Sequence, residues 1–281
     1  MKIGSREFDV KHHTYVAGIL NVTPDSFSDG GKFNAPDRAM EHVERMLLEG
    51  ADIIDVGGES TRPGYQAVPA KEEIERVLPV IRKIKKAYDV PVSLDTWKPE
   101  VARAALAEGV DMINDISCMK ERGMAELVAG SGCAYCLMHN RDGFSEEECR
   151  KGRTGDGRKV REELGTVLEA AWQAGMKTEQ VIVDPGIGFA KTYRQNLAVL
   201  NGIEELHCFG LPILIGVSRK SVIGHTLDLP VEERLEGTLA VTAYAVMKRC
   251  AFVRVHDVKE NVRVIKMIES ILNVPDGPAC C

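Results

Sequence analysis

Short, mainly apolar runs alternate with longer amphipathic ones along the chain, and the alternation recurs eight times. The apolar runs are 14–20 (TYVAGIL), 52–57 (DIIDVG), 90–95 (VPVSLD), 110–115 (VDMIND), 134–139 (AYCLMH), 181–184 (VIVD), 212–217 (PILIGV) and 251–256 (AFVRVH). Runs of this length and character suit strands buried on both faces of a parallel sheet. Between them, apolar residues fall at helical spacing: Ile74, Val77, Leu78, Ile81 and Ile84; Val160, Leu164, Val167 and Ala171; Leu235, Leu239, Ala243 and Val246; Val258, Val262, Ile265 and Ile268. Gly50, Gly109 and Gly175 each follow a helical pattern, where a C-terminal cap is expected.

Eight strand-then-helix units predict an α/β fold, a single (β/α)8 TIM barrel over residues 1–281. Residues 1–13 read as a short N-terminal cover and 274–281 as a mobile tail. An open doubly wound sheet is the alternative, because periodicity does not establish closure. Two connections are long, 21–36 and 58–70, and both are rich in Gly, Pro, Ser, Thr and Asp. Loops of that length in a compact barrel predict lids that order over a ligand.

Composition narrows the class. A hydrophobic share of 44% and a charged share of 28% are those of a globular enzyme. The net charge of -6, without a basic block, argues against a nucleic-acid binder. The polar start MKIGSREFDVKHH lacks the apolar core of a secretory leader, and no run reaches the length of a membrane span. A cytoplasmic protein with its eight cysteines reduced is therefore expected, with no membrane partner. Cys133 and Cys136 form a C-x-x-C pair, but within a buried strand and without a second pair, so they read as structural.

In a barrel the site lies at the C-terminal ends of the strands. Here those ends carry Asn21, Asp55 with Glu59, Asp95, Asn114 with Asp115, Met138 with His139, Asp184, Ser218 to Lys220, and Arg254 with His256. Strand ends are often polar, but buried carboxylates in this number are costly unless something pairs with them. A flat heterocycle with several N–H donors is one such partner, and a divalent metal held directly by the acids is another. Arg254 and His256 alternate on their run, so both face one side and can grip one anion. Ser218 lies close to a helix N-terminus; taken alone, the turn Ser218–Lys220 reads equally well as a solvated basic loop.

Seven segments, in order, resemble the dihydropteroate synthase family over nearly the whole chain. They are GILNVTPDSFSDGG at 18–31, DVGGESTRPG at 55–64, SLDT at 93–96, NDI at 114–116, DPGIGF at 184–189, GVSRKS at 216–221 and RVHDV at 254–258. Each is weak alone; together, each at a strand end, they are specific. The resemblance implies condensation of a pterin diphosphate with 4-aminobenzoate, with Mg2+ as cofactor and a homodimeric, cytoplasmic enzyme of folate biosynthesis. It assigns Asp95, Asn114, Met138, Asp184 and Lys220 to the pterin. Asn21, which would also contact the metal, Arg254 and His256 go to the diphosphate. Thr61, Arg62, Pro63, Phe189, Ser218 and Arg219, beside Lys220, go to the 4-aminobenzoate pocket, the one sulfonamides occupy. Asp25, Asp29, Arg62 and Lys220 carry the expected catalytic roles.

Two departures stand out. Ala190 replaces the glycine common in DPG-x-GFGK, and His139 is followed by NRDG rather than the frequent methionine-containing sequence. Neither removes a matched ligand. Two other readings remain: a methyltetrahydrofolate–corrinoid methyltransferase, which would need no diphosphate grip, and a catalytically silent pterin-binding paralogue.

Overall fold

The computed structural model describes residues 1–23, 35–59, 68–140 and 157–273. A short antiparallel hairpin, β1 (Lys2–Ile3) and β2 (Arg6–Glu7), precedes the main sheet. The sheet strands are β3 (Tyr15–Asn21), β4 (Ile53–Gly57), β5 (Val92–Asp95), β6 (Met112–Asp115), β7 (Ala134–Met138), β8 (Val181–Asp184), β9 (Leu214–Ile215) and β10 (Phe252–Val255). The helices are α1 (Ala35–Glu49), α2 (Ala70–Ala87), α3 (Pro99–Ala107), α4 (Met124–Ser131), α5 (Gly157–Gln173), α6 (Tyr193–Asn201), α7 (Ser221–Leu227), α8 (Leu235–Met247) and α9 (Val258–Leu272).

All eight expected strands form, paired in parallel in the order β8-β7-β6-β5-β4-β3-β10-β9. The two ends of that order meet. Val183 of β8 bridges in parallel to Ile213, and the Val183 N–H donates to the Pro212 carbonyl at 3.0 Å. The ring is thus closed, which rules out the open sheet. β9 is shorter than its apolar run because Pro212 has no N–H to donate and the chain turns away after Gly216.

The alternation of side chains along each strand divides the core in two. Outward residues such as Val16, Leu20, Ile54, Val56, Leu94 and Ile113 pack under the helices, where Val43, Ile81, Leu164 and Ile265 meet them. Each such buried side chain contributes about 1.5–3 kcal/mol. Inward residues Tyr15, Ile53, Met112, Ile182, Leu214 and Phe252 fill the lower half of the barrel. Ile3 and Phe8 of the N-terminal segment close that end; the Phe8 ring lies 4.7 Å from Tyr15 and 5.7 Å from Phe252. With its lower half filled mainly by hydrocarbon, the barrel gathers its charged inward groups, among the described residues, at the upper rim. Gly50, Gly109 and Gly175 close α1, α3 and α5 in the left-handed region, as helix caps.

Helix α8 forms where the spacing predicts it, and Val246 of that spacing is buried, but polar residues share its inward face. Its buried positions are Thr238, Thr242, Ala245 and Val246, whereas Leu235 and Leu239 are only half-buried. The inward face is held by polar pairing: Thr242 Oγ1 donates to Asn261 Oδ1 at 2.6 Å, and Thr238 Oγ1 accepts from the Arg219 N–H at 3.1 Å. The apolar residues Ala240, Val241 and Tyr244 instead line an outer groove with Leu197 and Leu200 of α6.

Candidate active site

Arg254 is the hub of the rim. It projects inward from β10, and its register partner on β3 is Ala17, a side chain small enough to leave a path to β4. Its Nε donates to Asp55 Oδ2 at 2.5 Å and one terminal nitrogen donates to Asp95 Oδ2 at 2.6 Å. Asp55 and Asp95 are 1% and 8% exposed, so both pairs are desolvated. Asp95 stands in register with Asn114 on β6, itself buried, and with Gly57 on β4. A methyl placed on Gly57 would lie 3.6 Å from Asn21 Oδ1 and 3.7 Å from Asp95 Cβ, so those two side chains face one space. A methyl on Gly216 would likewise lie 3.8 Å from both Asp184 Oδ2 and Arg254 Cβ. Asp184 therefore lies near the same arginine side chain whose guanidinium pairs with Asp95.

The turn after β8 carries the opposite wall. Asp184 Oδ1 accepts the Gly186 N–H at 2.7 Å, and Met138 is the register partner of Asp184 on β7. Gly186 has φ +67, and an added Cβ would fall 1.9 Å from the His139 carbonyl oxygen, so only glycine fits. Lys191 Nζ ties the turn by donating to the Gly186 and Phe189 carbonyls at 2.8 and 3.2 Å. Ala190 keeps the left-handed conformation, φ 43, at which glycine is common in the family the sequence resembles. The departure noted in the sequence thus costs about 1–2 kcal/mol of local strain rather than a change of turn. Lys220 reaches this wall from the start of α7: its Nζ donates to the Ile187 carbonyl at 2.5 Å and lies 4.5 Å from the Phe189 ring centre.

At the third side, Ser218 Oγ sits 3.0 Å from His256 Nδ1 and accepts the His256 N–H at 3.2 Å. Arg219, φ 57, turns away from Lys220 and pairs bidentately with Asp257, Nε to Oδ2 at 2.9 Å and a terminal nitrogen to Oδ1 at 2.6 Å. It braces the loop against the start of α9.

Crowding charges in a dry rim moves their pKa values. Burial pushes the Asp95 carboxyl up to about 7; Arg254 pulls against that, while Asp55 and Glu73 add to it. Burial also raises Asp184, opposed chiefly by Lys220 and the Gly186 N–H. Burial lowers Lys220 to about 8 despite Asp184 nearby. For Arg254 burial works against the charge, but Asp55 and Asp95 outweigh it and hold the guanidinium charged above its ordinary range. Perturbed acids and bases gathered at a strand-end rim are typical of catalytic sites.

The rim thus gathers Asn21, Asp95, Asn114, Met138, Asp184, Phe189, Ser218, Lys220, Arg254 and His256, and leaves Arg219 facing Asp257. Asp25, Asp29, Thr61, Arg62 and Pro63, most of both predicted lids, the NRDG departure after Asn140 and the 274–281 tail lie outside the described residues. Two features carry charge that the sequence reading left without a role. Asp55 was visible as an inward acid on its strand, two residues from Gly57 on the same face. The second could not be anticipated: Lys98 bonds both Glu59 and Glu73, joining the ends of β4 and β5 to α2. Cys133 and Cys136 are free thiols raised by burial, consistent with a structural role.

Among the described residues no three His, Cys, Asp or Glu side chains converge as a metal cage. A Mg2+ ion needs few protein ligands when substrate phosphates and water supply the rest. Asn21 Oδ1, which shares the space above Gly57 with Asp95, fits that mode.

The description "Pterin binding enzyme" belongs to the family model that matches residues 17–256. A dihydropteroate synthase of Clostridium beijerinckii is 52% identical over 274 residues, 97% of this chain and 99% of its own. Two solved structures superpose closely. The dihydropteroate synthase of Clostridium difficile, in the presence of pteroic acid, is 44% identical with TM-score 0.89, over 95% of this chain and 100% of that one. That of Xanthomonas albilineans, with 4-aminobenzoic acid, is 38% identical with TM-score 0.88, over 94% of each. An arginine-centred rim of buried acids, on a closed barrel of this sequence, places the chain among the pterin-binding enzymes, and it belongs to the dihydropteroate synthase family.

Proposed function

We propose that this chain condenses (7,8-dihydropterin-6-yl)methyl diphosphate with 4-aminobenzoate, giving 7,8-dihydropteroate and diphosphate. The observation that carries the reading is the pair of buried carboxylates, Asp95 bonded to Arg254 and Asp184 near the same side chain, with Lys220 against the second wall. The N–H-rich edge of a pterin satisfies such acids, and Asn114 both donates and accepts. Met138 and Phe189 supply apolar surface to the ring and the arylamine. Arg254 and His256 receive the diphosphate, the anion for which the loops after the last two barrel strands are suited, and Ser218, bonded to His256, borders the 4-aminobenzoate.

The reaction is a substitution at the exocyclic CH2: the C–O bond to diphosphate breaks and a C–N bond to the arylamine forms, with loss of one amine proton. Arg254 and His256 stabilise the charge that grows on the leaving oxygen. Asn21 would hold Mg2+ with the diphosphate, and the bound ion would neutralise part of that charge. Asp95 and Asp184 favour any positive charge that spreads into the ring. The arylamine is neutral and nucleophilic near neutral pH, so no activated serine or cysteine is required and positioning carries much of the rate. Asp25, Asp29, Thr61, Arg62 and Pro63 complete the lids and the 4-aminobenzoate pocket in this reading, and sulfonamides compete there.

A coupled assay for diphosphate release tests it. Release should require both substrates; no release with both present, or equal release from the pterin diphosphate alone, would refute the condensation. A methyltransferase or silent paralogue would release none. We also propose a homodimer through the apolar groove of Leu197, Leu200, Ala240, Val241 and Tyr244. Light scattering coupled to size exclusion should give twice the 30.9 kDa chain mass. No described helix is long and apolar enough to cross a membrane.

A further inference from the structure

Asp55 has no part in the binding roles above, yet it is the most buried acid in contact with Arg254. It is 1% exposed, its Oδ2 holds Arg254 Nε, and its Oδ1 has no hydrogen-bond partner. The same guanidinium gives a terminal nitrogen to Asp95 Oδ2, an oxygen that the preceding reading assigns to the ring of the substrate. One cation is therefore shared between two acids, one of them a ligand for the pterin and the other reachable by no ligand.

We infer that Asp55 is a positioning residue that makes the pterin and diphosphate subsites cooperative, by anchoring Arg254 at Nε while its terminal nitrogen exchanges Asp95 for the diphosphate. The inference rests on the function proposed above. A pterin edge that donates to both oxygens of Asp95 displaces Arg254 from Oδ2. The released nitrogen then has no carboxylate partner at Asp95. Because Nε remains on Asp55, a side chain fixed inside β4, the guanidinium pivots at the rim rather than withdrawing. Diphosphate gains a donor when the ring is in place, and by reciprocity the ring binds better when diphosphate has drawn Arg254 from Asp95. Substrate, which carries both parts on one molecule, benefits at once. Product, which lacks the diphosphate, does not.

Calorimetry with two probes tests this: 6-hydroxymethylpterin, and inorganic diphosphate with Mg2+. In the wild-type protein each should raise the affinity of the other by about five-fold or more, the lower end of ordinary coupling. In Asp55→Leu, pterin alone should bind within about three-fold of wild type while the mutual enhancement falls close to one, as a pivot requires and a general structural role does not. Asp55→Asn keeps an oxygen acceptor for Nε and should recover part of the coupling. Arg254→Lys should abolish the coupling even with Asp55 intact, since an ammonium cannot hold two acids in a fixed fork; this keeps the test open if Asp55→Leu fails to fold. Independent binding of the two probes to wild type, or full coupling in Asp55→Leu, overturns the inference while leaving the function standing. Failure of wild type to bind either probe overturns the function itself.

Discussion

Replacing Lys98 with methionine should destabilise this protein strongly, by stranding two buried acids. The Lys98 ammonium is bonded to Glu59 and Glu73, whose side chains are 4% and 1% exposed, and the lysine side chain is 9% exposed. Each glutamate already has one oxygen, Oε1, without a partner. Methionine keeps the length and apolar stem but removes the charge, so two carboxylates lose their shared cation. Removing one partner of a buried ion pair costs about 3–5 kcal/mol, and here two acids are stranded, which places the variant at the upper end. Total stabilities are about 5–15 kcal/mol, so the loss is a large fraction. At about 2–4 °C per kcal/mol for a chain approaching this size, the melting temperature should fall by roughly 10–20 °C. Differential scanning fluorimetry at pH 7 reads the shift directly. Adding Glu73→Gln to the variant removes one stranded charge and should return about 1–3 kcal/mol, a coupling of the size seen for contacting residues. In the wild type, burial opposes the Lys98 charge but the two glutamates raise its pKa. Its contribution is therefore complete at neutral pH and is lost only as pH rises above the ordinary lysine range. A melting temperature unchanged within 3 °C or so, against the roughly 2–4 °C expected for each kcal/mol, would refute the claim that this cluster is dry.

The remaining predictions concern the rim. With Asp95 raised to about 7 and Lys220 lowered to about 8, kcat/KM for the pterin diphosphate should rise with pH through the first and fall through the second, a narrow bell; a flat profile from pH 6 to 9, about one unit beyond each limb, counts against charged Asp95 and Lys220 as the working forms. Because these groups interact, the limbs belong to the set rather than to single residues. Arg254→Ala should weaken diphosphate binding at least about ten-fold, on the scale of a lost buried charge contact, while 6-hydroxymethylpterin binds nearly as before; equal losses for both ligands in calorimetry would contradict the division of roles. Ala190→Gly relieves a left-handed alanine and should raise the melting temperature by about 2–4 °C, with activity retained. Chelation of Mg2+ should reduce diphosphate affinity and leave the unphosphorylated pterin unaffected, as fluorescence titration would reveal.

Much of the rim was legible because strand parity is a local property. Arg254 and His256, or Asp55 and Gly57, are two residues apart, so they share a face wherever the strand lies. The same holds for the glycine caps at Gly50, Gly109 and Gly175, whose left-handed backbones follow from their place after a helix. Which face of helix α8 turns inward was not legible, for the complementary reason. Its spacing predicts the helix that forms, but Thr242 pairs with Asn261 and Thr238 with the Arg219 N–H, and that buried pairing sets the face.

The order of strands, the strand-end acids and the family were therefore determined by the sequence alone, through short-range periodicity and the motifs that end each run. Closure through Val183 and Ile213, the sharing of Arg254 between Asp55 and Asp95, and the joining of Glu59 and Glu73 by Lys98 were decided only in three dimensions. Those partners are 159 and 199 residues apart around Arg254, and 25 and 39 around Lys98. Which cation meets which acid depends on how the ring closes and which groups lose their water, and no local pattern in a chain encodes that.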